Sequence, residues 1–254
     1  MRGPLFALAL AAAATSPAFG QSQRDSALRA PQSAEVRRIA QAYGDCVVKQ
    51  DHGAAQAYVL QHLRVPKDDR AGHVLIEKIT YGRCLTDASR RYFSTDRMRF
   101  PADSMRYALS DALFRRDLAD RPPLSNLNLI PPLEHAAFDE SDYQPKPGKK
   151  FKQDQLEQAQ FARSRDLASI TASQLGECIV RNDPAAAYAL LRTPVATPAE
   201  NMAFAPIAQK AGQCVQQGAA IELDKAILRG TVAFNYYRLA FAPRTATPST
   251  VSGK

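Results

Sequence analysis

The fold depends on the stretch Gly44-Asp45-Cys46-Val47-Val48-Lys49-Gln50-Asp51, because the chain repeats it as Gly176-Glu177-Cys178-Ile179-Val180-Arg181-Asn182-Asp183. The first cysteines of the two copies are 132 residues apart (178 − 46), and a second matched pair, Cys84 and Cys214, is 130 apart (214 − 84). Matched motifs at a nearly constant offset are typical of an internal duplication. The sequence therefore predicts two similar units, each with two cysteines.

Apolar residues in both copies recur at spacings of three and four, which predicts helices. The residues that show this spacing are Val36, Ile39, Ala40, Tyr43, Cys46 and Val47 in the first copy and Leu167, Ile170, Leu175, Cys178 and Ile179 in the second. Asp51-His52-Gly53 and Asn182-Asp183-Pro184 end these helices. We expect an all-α fold of two four-helix units. Residues 98–100 and 221–223 alternate in polarity and predict a very short two-stranded ladder.

Composition divides the chain into six segments. Residues 1–20 have the basic start, short apolar stretch and small residues of an export signal peptide, and the apolar stretch is too short to span a membrane. The other predicted segments are a flexible lead-in at 21–33, repeat 1 at 34–119, a proline-rich, partly packed linker at 120–155, repeat 2 at 156–240 and a disordered tail at 241–254. The sequence thus predicts a periplasmic or secreted protein.

Four cysteines in an exported protein indicate two disulfides, for which three pairings exist. If each copy folds as its own unit, the pairs are Cys46 with Cys84 and Cys178 with Cys214. A zinc site of four thiolates or a redox-active pair is the alternative, but the short C-x-x-C spacing typical of either is absent. We therefore predict a structural role for all four sulfur atoms and no cofactor.

The formal net charge of +8 raises the question of a polyanionic partner. Residues 34–119 contain 15 basic and 11 acidic side chains, and residues 156–240 contain 8 and 7, so the charge is dispersed. A dispersed charge favours a solvated surface over a nucleic-acid site. Weak attraction to an anionic polymer or lipid remains open.

Motifs for catalysis are absent: the sequence has no P-loop, no G-x-S-x-G and no H-E-x-x-H. His73 and Glu77 have the i, i+4 spacing of metal ligands on a helix, and His62 precedes them. A metal-dependent hydrolase centred on His73 and Glu77 is therefore one hypothesis. The simpler interpretation is an exposed pair of side chains on one helix.

Both copies carry arginine and aromatic residues on their last helix. These candidate binding residues are Arg106, Phe114 and Arg115 in repeat 1 and Arg229, Tyr237 and Arg238 in repeat 2. Two symmetry-related helices of this kind predict a groove between the repeats for an anionic or extended partner. The alternative is that the arginines pair with local acids or cap helix ends.

The pattern G-[DE]-C-[VI]-V, then G-x-C, then a closing helix such as residues 228–233, resembles small exported proteins of alphaproteobacteria with no assigned activity. The likeness covers both repeats and not the linker. It implies export and a helical repeat, and it carries over no catalytic or binding residue.

These observations lead to three functional hypotheses. The first is a non-enzymatic envelope protein that binds another protein, a peptide or an anionic polymer through the surface between the repeats. The second is a structural or stress-resistance protein of the periplasm. The third is the hydrolase at His73 and Glu77.

Overall fold

A computed structural model describes residues 19–61, 82–90, 102–215 and 224–243, with side chains from residue 34 onward. The eight α-helices in these ranges are α1 (Phe19–Gln50), α2 (His52–Gln61), α3 (Gly82–Arg90), α4 (Ala102–Asp117), α5 (Gln153–Asn182), α6 (Pro184–Arg192), α7 (Pro198–Cys214) and α8 (Lys225–Phe241). Two short 3-10 turns, Leu127–Leu129 and Glu140–Tyr143, lie between α4 and α5. The fold is all-α, as predicted, and the segments of the predicted ladder lie outside the described residues.

Aspartates begin the second helix of each repeat. Asp51 Oδ1 accepts a hydrogen bond from Ala54 N at 2.9 Å, and Asp183 Oδ1 accepts one from Ala186 N at 2.9 Å. Each bond satisfies a backbone donor that the first turn of a helix leaves unpaired. The helix breaks predicted at these two positions are therefore confirmed. α1 begins at Phe19 and so includes the segment 21–33 that was expected to form a loose lead-in.

Aspartates also lie at the start of the closing helix of each repeat. Asp224 Oδ1 accepts from Ala226 N at 2.6 Å and from Ile227 N at 2.9 Å at the start of α8. Asp103 lies in the first turn of α4, where a negative charge stabilises the helix dipole.

The helices form reciprocal contacts about a central pair. α4 packs against α8, while α1 packs on α4 and α5 packs on α8. α2 contacts α4 and also reaches α8, whereas α6 contacts α8 and also reaches α4. This is the pattern expected of two similar units related by a two-fold rotation, although the evolutionary duplication itself stays a prediction.

Glycines allow these helices to approach closely. A Cβ atom at Gly230 would lie 2.5 Å from Tyr107 Cβ, at the crossing of α8 and α4. Gly230 and Tyr107 occupy equivalent positions, 123 residues apart (230 − 107). A residue with no side chain thus faces an aromatic side chain where the repeats cross. A Cβ atom at Gly176 would lie 2.5 Å from Thr231 Oγ1, and one at Gly44 would overlap the carbonyl oxygen of Ala108. The glycine of the repeated motif therefore fixes the crossing of the first and last helix in each repeat.

Both predicted disulfides are present. Cys46–Cys84 joins α1 to α3, and Cys178–Cys214 joins α5 to α7. They close loops of 38 and 36 residues, and the described residues include no free cysteine. The sulfur atoms therefore connect the first and third described helices of each repeat.

Candidate functional site

The linker between α4 and α5 is held against α5 by Arg181. Arg181 Nη1 donates to the carbonyl oxygens of Leu127 at 2.7 Å and Ile130 at 3.0 Å. Arg181 Nη2 donates to the carbonyl oxygen of Pro131 at 2.7 Å. The side chains of Leu127 and Ile130 are buried. One guanidinium group therefore binds three main-chain acceptors of the linker: one in the 3-10 turn Leu127–Leu129 and two at Ile130 and Pro131, just after it.

Glu177 is the second anchor of the linker. Its Oε1 accepts from Leu133 N at 2.9 Å and from Arg181 Nε at 2.7 Å. Its Oε2 lies 2.7 Å from His135 Nε2, and His135 Nδ1 lies 2.9 Å from Ser173 Oγ. Burial opposes the charge of Glu177, but the hydrogen bonds from His135, Leu133 and Arg181 outweigh burial and lower its pKa to about 2. Glu177 is therefore ionised at neutral pH.

A hydroxyl, an imidazole and a carboxylate are hydrogen-bonded in series, as in a hydrolase triad, by Ser173, His135 and Glu177. Their surroundings are nevertheless those of a structural contact. Ser173 lies inside α5, where backbone N–H groups are bonded within the helix and so do not form an oxyanion hole. The Glu177 carboxylate also binds the linker and Arg181. Ser173 and Glu177 therefore hold His135, and with it the linker, against α5.

The matching face of α1 is open to solvent. Asp45 is equivalent to Glu177 and Lys49 to Arg181, each 132 residues apart (177 − 45 and 181 − 49). The Asp45 side chain is 52% exposed, whereas that of Glu177 is 9% exposed. Lys49 is exposed as well, beside Arg116 on α4. We call Asp45, Lys49 and Arg116 the α1 face, and Ser173, Glu177 and Arg181 the α5 face.

The predicted groove between the repeats is filled by the packing of α4 against α8. Phe114 and Tyr237 are fully buried, and the Phe114 ring meets that of Tyr236 edge-on, with centroids 5.2 Å apart. Arg106, Arg229 and Arg238 are also buried. The prediction of an open groove was wrong, because helical periodicity does not show which apolar face packs against the other repeat.

Two of the four predicted arginines belong to a chain of alternating charges that crosses the repeat interface. In order along the chain, its members are Arg37, Glu200, Arg229, Asp111, Arg115 and Asp45. Arg229 lies 3.2 Å from Glu200 and 3.0 Å from Asp111, and Glu200 is fully buried. Because each buried charge has a partner of opposite sign, the chain joins α1, α7, α8 and α4 at a tolerable desolvation cost.

Arg115 is bound by two carboxylates. Its Nη2 donates to Asp45 Oδ1 at 2.6 Å, and its Nη1 donates to Asp111. Burial opposes the charge of Arg115, but Asp111 and Asp45 raise its pKa above the ordinary arginine value. Arg115 therefore serves the structure and not an external partner.

Arg106 and Arg238 lie near one aromatic ring. Their guanidinium carbons are 5.7 and 4.9 Å from the centroid of Phe234. Arg106 also lies 3.6 Å from Asp103 and 5.1 Å from the centroid of the Tyr58 ring. The two arginines are thus placed together at the repeat interface, as the sequence predicted, but in a buried setting.

A further polar cluster was not foreseen from the sequence. His52 Nε2 lies 2.8 Å from Asp117 Oδ2, and the Tyr237 hydroxyl donates to the same oxygen at 2.6 Å. Gln56 donates to the Tyr237 hydroxyl at 2.8 Å. This network ties the end of α8 to α2 and α4. Its partners are distant in sequence, so no local pattern indicates it.

The predicted metal-ligand residues His62, His73 and Glu77 lie outside the described residues. Within the part of the chain that is described, no group of three His, Cys, Asp or Glu side chains is arranged to hold a metal ion. None of the described helices has the length and apolar content needed to cross a membrane. Comparisons with protein-family models, curated proteins and solved structures found no match to this chain.

Proposed function

We propose that this protein is an exported, non-enzymatic binding protein of the cell envelope that holds an extended segment of another polypeptide on its α1 face. The observation that carries the proposal is the capture of the linker by the α5 face. Arg181 donates hydrogen bonds to three linker carbonyl oxygens, and Glu177 accepts one from a linker N–H group. These contacts support the proposal because they show charged side chains of the motif holding main-chain groups of a non-helical segment at Ile130, Pro131 and Leu133.

The α1 face offers the same kinds of groups without a linker over them. Lys49 supplies an ammonium group where Arg181 supplies a guanidinium group, and Asp45 supplies a carboxylate where Glu177 does. Arg116 adds a second exposed cation, and its Nη1 donates to Val48 O at 2.8 Å. Charged donors and acceptors of this kind bind main-chain groups strongly.

A proline-containing segment is the partner that suits this chemistry. Such segments adopt the polyproline II conformation, which makes no internal hydrogen bonds and leaves its carbonyl oxygens available. The linker offers an example of such available acceptors, because the carbonyl oxygens of Ile130 and Pro131 both accept from Arg181.

Export is the second part of the proposal. Two disulfides persist in oxidising compartments such as the periplasm, and the first twenty residues have the composition of a signal peptide. Cell fractionation followed by non-reducing peptide mapping tests the compartment. Recovery of the oxidised protein from the periplasm or the medium is expected, and a reduced protein in the cytoplasm would contradict export.

The binding function is tested with a labelled peptide that copies residues 121–135, used as a defined proline-containing probe. We expect saturable fluorescence anisotropy, and a loss of affinity of about tenfold in the K49A/R116A variant, which corresponds to about 1.4 kcal/mol. This variant leaves the Arg115–Asp45 ion pair of the charge chain in place. K150A/D154A, which removes two other exposed charges, is the matched control and should bind normally.

The E177A/R181A variant separates the two faces. If it alone abolishes binding, the probe replaces the linker on the α5 face, and the assignment to the α1 face is wrong. If no proline-containing probe binds the wild-type protein, the structural hypothesis replaces the binding hypothesis.

A further inference from the structure

Arg238 is a buried cation without a carboxylate partner. It is 7% exposed, and its Nη2 atom donates to the carbonyl oxygen of Glu134 in the linker. Its Nη1 atom is buried and has no hydrogen-bond partner. Among the described residues, no carboxylate oxygen lies within ion-pair distance of its guanidinium group. A buried charged donor left in this way is costly to the fold and indicates a missing partner.

The equivalent position in repeat 1 shows what kind of partner is missing. Arg115 and Arg238 are 123 residues apart (238 − 115), and Arg115 binds the carboxylates of Asp111 and Asp45. At the position of Asp111, repeat 2 has Phe234, also 123 residues apart (234 − 111). The second carboxylate, Glu177, is taken up by Leu133, His135 and Arg181, as described above. In repeat 2, one of the two equivalent carboxylates is therefore replaced by Phe234, and the other, Glu177, is bound by the linker and Arg181.

We propose that Arg238 binds a carboxylate group of a ligand, at the junction of α8 with linker residues 133–135. The ligand carboxylate takes the hydrogen bond of Nη1, in the role that an aspartate plays for Arg115. Arg106, whose guanidinium group lies near the same Phe234 ring, adds positive potential to the site. This potential attracts an anion and disfavours a second cation. The inference is independent of the α1 face and of a proline-containing partner.

The electrostatics of the site agree with this geometry. Burial, together with the nearby charge of Arg106, lowers the pKa of Arg238 to about 10, although Glu177 and Glu134 act in the opposite direction. An incoming carboxylate reverses this effect, because it favours the charged guanidinium group. The linker residue Glu134 is exposed and its carbonyl oxygen accepts from Arg238 Nη2, so the proposed ligand enters beside this residue and displaces the linker locally.

The experiment is isothermal titration calorimetry of the full-length oxidised protein with sodium acetate, at ionic strength held constant with sodium chloride. We expect saturable binding of acetate to the wild-type protein and at least about tenfold weaker binding to R238M. R165M, which removes an arginine that is 56% exposed on its side chain, is the control and should bind as the wild type does.

A second measurement does not depend on the folding of R238M. In ¹⁵N spectra of the wild-type guanidinium groups, one Nε resonance should shift with acetate and saturate. The same resonance should be missing from the spectrum of R238K. The tripeptide amide Ac-Gly-Glu-Gly-NH₂ identifies the source of the carboxylate: tighter binding than acetate assigns an acidic peptide side chain, and weaker binding assigns a small free acid.

Three results would overturn the proposal. The first is that acetate and chloride act alike on the wild-type protein. The second is that acetate binds R238M as well as it binds the wild type. The third is binding of sulfate without binding of acetate, because a site that replaces an aspartate must accept a carboxylate.

Discussion

Arg115 and Arg238 occupy equivalent positions in the two repeats, yet their surroundings are opposite. Arg115 lies between the carboxylates of Asp111 and Asp45, and its pKa is raised. Arg238 faces the ring of Phe234 and a linker carbonyl, and its pKa is lowered. Two differences leave Arg238 Nη1 without a hydrogen-bond partner: Phe234 stands at the position of Asp111, and Glu177 is bound by the linker.

The helix faces that carry the repeated motif differ in the same way. On α5, Glu177 and Arg181 are covered by the linker, whereas on α1, Asp45 and Lys49 are exposed. A single linker covers only one of two equivalent faces. The α5 face therefore has a structural role, and the uncovered α1 face is the one that we propose binds a partner.

The largest expected effect comes from breaking the charge chain that the two repeats share. E200Q keeps the shape of a fully buried side chain but removes the charge that balances Arg37 and Arg229. We expect a loss of about 3–5 kcal/mol in the free energy of unfolding, measured by urea denaturation, because two buried cations lose their anion. E140Q is the control, since the Arg163–Glu140 pair is exposed to solvent and should contribute little to stability. Equal effects of E200Q and E140Q would show that the chain does not couple the repeats.

A smaller loss of stability is expected when the glycine that both copies of the motif share is replaced. G44A and G176A should each cost about 1–3 kcal/mol, because the added methyl group overlaps the facing helix. Thermal or urea unfolding measures the loss. At Gly212 a Cβ atom meets nothing within 4 Å, so G212A should be neutral or stabilise α7 by about 0.5–1 kcal/mol. If only one of G44A and G176A destabilises the protein, the two helix crossings are not equivalent.

The smallest predicted effect is a pH dependence of stability to which Glu177 on the α5 face contributes. The pKa of Glu177 is lowered from 4.5 to about 2, so its contribution to stability is complete above about pH 4.5 and is lost as the pH falls toward 2. Unfolding midpoints measured over this range should therefore fall less steeply in E177Q than in the wild type. E157Q, which changes an exposed glutamate on the same helix, is the control. An unchanged slope in E177Q would mean that the linker contacts do not hold Glu177 in its charged form.

Much of the fold was predictable because its signals are local or repeated. The helix breaks at Asp51 and Asp183 follow from capping chemistry, and the disulfide pairing follows from the repetition of the cysteines. The burial of the arginines was not predictable in the same way. Arg229 pairs with Asp111, which is 118 residues away in sequence, and nothing near either residue indicates the other.

The linker contacts were missed for a related reason. Leu127 and Ile130 showed that the linker was too apolar for a free tether, but not which helix it would meet. The exchange of Lys49 for Arg181 between the copies was the available signal, because a guanidinium group binds several carbonyl oxygens where an ammonium group is more commonly solvated. Read together with the proline-rich linker, that exchange predicts which of the two faces holds an extended chain.

The most direct test of the claim that equivalent positions have different roles compares R115M with R238M in urea denaturation without added carboxylate. R115M should lose about 2 kcal/mol, because Asp45 and Asp111 lose hydrogen bonds to a charged donor. R238M should change stability by less than about 1 kcal/mol, or increase it, because it removes a buried cation that has no carboxylate partner. Equal losses in the two variants would contradict the account, since Arg238 would then be as well satisfied within the fold as Arg115.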